Sequence, residues 1–87
     1  MDINQLILLV KSKIQENISA ENILIEDKTY LHKNHLSHQR DKFHLILKIQ
    51  SEELKKYNNK IKATKKIYSI LDKEIKEYIH SIQILIN

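Results

Sequence analysis

Phe43-His44-Leu45-Ile46-Leu47-Lys48-Ile49-Gln50 is the stretch on which the fold turns. Phe43, Leu45, Leu47 and Ile49 alternate with His44, Ile46, Lys48 and Gln50. A period of two predicts a β-strand with one face toward a core. Ser51 follows as an N-cap, with Glu52 and Glu53 where carboxylates complement a helix dipole. Leu54 and Tyr57 anchor a short turn of helix, and Asn58-Asn59 interrupts it. A longer helix is predicted next. Ile61, Thr64, Tyr68, Leu71 and Ile75 form its apolar face, widened by Ile67, Ile70 and Tyr78. By this phase Tyr68 is a core residue. Ile79 to Ile86 reads as the last strand, with Ile82, Ile84 and Ile86 on one face.

Working back from Phe43, residues Asp27 to Lys42 are polar and aperiodic, as in a long loop between two strands. Ile23-Leu24-Ile25-Glu26 suits a short strand, and Ser19-Ala20-Glu21-Asn22 is a break. Ile3, Leu6, Ile7, Val10 and Ile14 recur at spacings of a helix running from about Asp2 to Asn17. The predicted order is helix, strand, strand, helix, strand. The first two strands form an antiparallel pair. The second and third, joined through a helix, run parallel by a right-handed crossover. Helices covering one face give an α+β two-layer α-β-β-α-β sandwich with a three-stranded mixed sheet. No linker or repeat divides residues 1–87, so one domain is expected.

The chain has 87 residues and contains no Gly, Pro, Cys or Trp. Without Cys it has no disulfide, thiolate zinc site or cysteine nucleophile, and holds no iron–sulfur cluster on its own sulfurs. Without Gly it lacks the P-loop, the dinucleotide-binding turn and the nucleophile elbow. No acid–base pair of credible geometry and no activated nucleophile is visible, so neither an enzyme nor a small-molecule substrate is expected. The longest apolar run, Leu6 to Val10, is far below the roughly 20 residues of a spanning helix. These features suggest a soluble, cytoplasmic protein with no membrane partner. The formal charge is +4, almost all of the basic side chains being Lys. Together with many Ile and Asn, this reads as a compositional bias more than a selected basic face.

Lys66-Ile67-Tyr68-Ser69-Ile70-Leu71, followed by Tyr78-Ile79-His80-Ser81-Ile82-Gln83-Ile84, resembles the BolA family. Its members carry a Val-Tyr-x-x-Leu helix segment and a Val-His-Ala-Leu-like opening to the last strand. Asp27-x-Thr29-x-x-His32-x-x-His35 is similar to the family's loop pattern, and Phe43 and Ser51 bracket the second strand as they do there. The resemblance spans roughly residues 14–86. Departures are local. Leu54 stands in for the Phe of the family's Phe-x-Gly, Ala63-Thr64 for its Arg-His pair, and Asn34 for its loop glycine. The chain stops at Asn87, where relatives continue through a Thr-rich tail.

The resemblance implies a class II KH-like fold and a partnership with monothiol glutaredoxins. In such heterodimers a [2Fe–2S] cluster is held by a glutaredoxin cysteine and a glutathione thiol. The BolA-like chain adds the His that opens its last strand and a loop His or Cys. By position these are His80 and His32, with His35 as a near alternative. No cofactor is expected on this chain alone. Read from the residues only, His80 is either a structural histidine at a strand start or a ligand. The run His32, His35, His38 is a solvated loop, a zinc site or part of a shared centre. His44 is expected on the open sheet face, structural or exposed. Lys60, Lys62, Lys65 and Lys66 make a solvated helix face or, alternatively, a DNA-binding surface of a transcriptional regulator. RNA binding of the KH type is excluded in its usual form, since it uses a Gly-x-x-Gly loop.

Overall fold

The computed structural model describes residues 1–29, 42–57 and 59–87. Its elements are α1 (Ile3–Asn17), β1 (Asn22–Asp27), β2 (Phe43–Gln50), α2 (Glu52–Lys55), α3 (Lys60–Ile70), α4 (Asp72–Glu77) and β3 (Ile79–Ile86). The sheet order is β1-β2-β3. β1 pairs antiparallel with β2, and β2 pairs parallel with β3, as the connections require.

β2 is central because its alternation serves both faces. Leu45, Leu47 and Ile49 are buried toward the helices. Ile23 of β1 and Ile79 of β3 are buried with them, and Ile82, Ile84 and Ile86 pack partly against the same core. Leu6, Val10 and Ile14 project from α1, Leu54 from α2, and Ala63, Ile67 and Leu71 from α3 and its end. The opposite face carries Leu24, Lys48 and Leu85 in one register row and Glu26, Ile46 and Gln83 in the next.

The caps explain where the helices begin. Asp2 accepts from the Gln5 backbone N–H at 2.8 Å while the Gln5 side chain accepts from the Asp2 N–H at 3.1 Å, a reciprocal capping box. The Ser51 hydroxyl accepts from Leu54 N–H at 3.2 Å and donates to the Ser19 carbonyl at 2.6 Å, tying α2 to the end of α1. Asn59 caps α3 through Lys62 N–H at 2.9 Å.

Two features differ from the sequence reading. The long helix is divided at Leu71, whose ψ of 15° lies outside the helical range. The helical hydrogen bonds still continue, from Leu71 N–H to Ile67 O at 3.0 Å and from Ile75 N–H to Leu71 O at 2.9 Å. The division is therefore a bend, not a loop. The apolar face is also rotated. Ala63, Ile67 and Leu71 face the core, whereas Ile61 is 67% exposed and Tyr68 40% exposed. Tyr68 is not a core residue; its hydroxyl donates to the Ile82 carbonyl on β3 at 3.2 Å.

Candidate metal centre

His80 is exposed although it sits in an apolar sequence context. The register explains this. Phe43 pairs with Ile79, and the next residue of β2, His44, pairs with Ser81. His80 is the additional residue of a bulge and stands opposite no residue of β2. Alternation turns His80 away from the core that holds Ile79, and the extra residue lets Ile82 face that core as well. Just before the bulge the Phe43 N–H donates to the Tyr78 carbonyl at 2.9 Å.

His44 lies on the open face, as its parity requires, but is only 6% exposed. Its backbone is held at both groups. Lys28 N–H donates to the His44 carbonyl at 2.7 Å, and the His44 N–H donates to the Thr29 hydroxyl at 3.1 Å. Thr29 is itself fixed by Asp27, whose carboxylate accepts from both the Thr29 N–H and the Thr29 hydroxyl. The Asp-x-Thr part of the loop pattern is thus a latch on the start of β2. The His44 ring shares a 2.7 Å hydrogen bond between Nδ1 and Ser81 Oγ, with the donor set by the imidazole tautomer. Its centroid lies 4.8 Å from that of His80, with the ring planes inclined by 41°.

A shallow cavity of about 270 Å³ opens beside the His44 ring, lined by Lys28, His44, Ile46, Ser81 and Gln83 among others. Glu26 neighbours it on β1. The Lys48 ammonium, donating to Glu26 at 3.2 Å, holds this carboxyl below its ordinary range, and Lys28 at 3.4 Å adds to the effect.

His32 and His35, with His38, lie outside the described residues, so their relation to His80 is not addressed by the fold. Thr29 and Lys42, which flank that segment, are both described. Thr29 bonds to His44, and the Lys42 ammonium donates to the Lys76 carbonyl at 3.2 Å, close to the end of α4. Among the described residues no three His, Asp or Glu side chains converge to hold a metal ion. What the site offers is one exposed imidazole, His80, with a second ring buried against it. Imidazole is a competent iron ligand, so the donor chemistry fits a shared centre completed from outside the chain.

Lys60, Lys62 and Lys65 are exposed on α3, and Lys66 is half-buried. None of the four forms an ion pair among the described residues, whereas Lys55 pairs with Glu52 and Lys76 with Asp72. Among the described residues no helix is long and apolar enough to cross a membrane.

The sequence reading missed His44 as a site component. Its buried contact depends on the bulge and on pairing with β3, which local periodicity does not reveal. The family model for BolA-like proteins matches residues 14–87. No curated protein matches the sequence. Among solved structures, BolA1 from Arabidopsis thaliana superposes with a TM-score of 0.77 at 24% identity, covering 92% of this chain and 87% of that one. The BolA domain of SufE1 from Arabidopsis thaliana gives a TM-score of 0.77 at 22% identity, with coverage of 92% and 87%. At these identities the two superpositions speak for the fold.

Proposed function

The chain belongs to the BolA-like family, and from that premise we propose that it is a non-enzymatic partner of a monothiol glutaredoxin. In this reading it contributes imidazole to a [2Fe–2S] cluster whose thiolates come from a glutaredoxin cysteine and glutathione. Its role is iron–sulfur cluster handling or iron homeostasis. The observation that carries this is the exposed imidazole of His80, at a bulge in the strand start, in a chain with no thiol of its own. A neutral imidazole replaces thiolate on one iron of some [2Fe–2S] centres and alters the potential. His32 or His35 is the second ligand from this chain. Two imidazoles alone make a weak private site for any metal, which favours completion by a partner.

The test is to titrate a cluster-loaded monothiol glutaredoxin with the chain and record visible absorption and circular dichroism. The wild-type chain is expected to change the cluster bands, and His80→Ala to leave them as in the glutaredoxin alone. Equal changes with wild type and His80→Ala would remove His80 from the site.

Lys60, Lys62 and Lys65, exposed and without an ion pair among the described residues, support a second reading, DNA binding by phosphate contact without base readout. It predicts a mobility shift of duplex DNA that weakens steeply with salt. The shift is lost in the combined Lys60→Ala, Lys62→Ala, Lys65→Ala variant. Absence of any shift at low salt removes this reading.

A further inference from the structure

We infer that His44 is a positioning residue for His80: it fixes the orientation in which the exposed imidazole is presented. The inference deepens the proposed function and rests on it for its purpose, though the orienting effect itself is measurable without any cluster. A residue in a bulge has lost its cross-strand neighbour, so its side chain is not held by the regular ladder. His80 stands in that position. An exposed side chain there would populate several staggered rotamers unless something packs on it. Among the described residues the His44 ring packs on it, at 4.8 Å between centroids.

His44 is well suited to hold another group still. Its N–H and carbonyl are engaged by Thr29 and Lys28, at 3.1 and 2.7 Å. Its ring is tied by Nδ1 to Ser81, the residue immediately after His80, at 2.7 Å. It is buried while His80 is exposed. The arrangement therefore runs from a fixed ring to an exposed one. Partners that orient a ligating group without touching the metal typically change metal affinity by about 10–100-fold when removed.

The test uses the full chain, first without any partner. Side-chain couplings of His80 measured by NMR give its χ1 distribution in wild type, His44→Ala, His44→Phe and Ser81→Ala. The prediction is one dominant His80 rotamer in wild type and averaging in His44→Ala. His44→Phe, which restores a ring but not the hydrogen bond, recovers most of the preference. Ser81→Ala, which removes the Ser81 hydrogen bond from the His44 ring, falls between. Amide spectra report whether each variant is folded. If His44→Ala does not fold, the comparison of His44→Phe with Ser81→Ala decides. An averaged His80 in wild type, or a His80 equally fixed in all folded variants, overturns the inference.

A second arm adds the cluster-loaded monothiol glutaredoxin. Half-saturation of the change in visible circular dichroism is expected to shift about 10–100-fold in His44→Ala. It returns toward wild type in His44→Phe. If His80 is fixed by His44 but wild type leaves the cluster bands unchanged, the glutaredoxin reading fails and the orienting role stands.

Discussion

Glu74 on α4 is a carboxylate with only 4% of its side chain exposed, and both of its oxygens face the Lys13 ammonium of α1 at 2.9 and 3.0 Å. Removing Lys13 would strand the charge in the helix layer. Lys13→Met is expected to cost about 1–3 kcal/mol, less than for a fully buried pair because the Lys13 side chain keeps 32% of its exposure. Adding Glu74→Leu should return stability close to wild type, because two apolar side chains of similar volume need no charge compensation. Urea denaturation of the two variants checks the sign and the recovery. Ser51 works differently: fully buried, it both caps α2 and satisfies the Ser19 carbonyl. Ser51→Ala should cost about 1–2 kcal/mol by the same assay, since a cap and a buried acceptor are lost together.

At the scale of elements, α3 shows what packing decides. Ile61→Lys should change stability by less than about 0.5 kcal/mol because the side chain is already in solvent. Ile67→Ala should cost about 2–5 kcal/mol because it empties a fully buried position. Denaturant midpoints distinguish these values readily, and the reverse order would contradict the observed phase. That phase was hard to read beforehand. Ile61 and Tyr68 are large and apolar, while the true seam passes through Ala63, a small residue that carries little weight in a hydrophobic pattern. β2 was legible because eight alternating residues leave no ambiguity of parity, and the cap at Ser51 was legible from residue type. The His80 bulge was not, because it is a slip between two strands and no single segment encodes it. Parity alone placed His44 on the open face; its burial came from the neighbours it meets across the sheet. The exposed Tyr68 has a structural role of its own, since its hydroxyl occupies a carbonyl of edge strand β3. Occupying edge groups in this way limits unwanted strand pairing.

For the whole molecule, charge and partnership are the relevant properties. The Glu26 pKa is lowered from its ordinary value of 4.5, chiefly by the hydrogen bond and charge of Lys48. A carboxyl with a lowered folded-state pKa adds stability above its unfolded value, and loses it as pH falls through the folded one. The stability difference between wild type and Glu26→Gln should therefore be present at neutral pH. It should shrink as pH falls below about 4.5, and shrink further in high salt because the pair is partly solvated. Urea unfolding at several pH values checks this; a gap that widened on acidification would reverse the assigned sign. The helices and the sheet together carry the His80 imidazole on one end of the fold, beside the latch formed by Asp27 and Thr29. In the proposed function this imidazole enters a cluster supplied by another protein. It is tested most directly by pulsed electron paramagnetic resonance on the reduced cluster of the complex with a monothiol glutaredoxin, with 15N-histidine in this chain only. Strong 15N couplings from a metal-bound imidazole are expected in wild type, with loss of the His80 coupling in His80→Ala. A reduced cluster in a verified complex that shows no 15N coupling from this chain would contradict it.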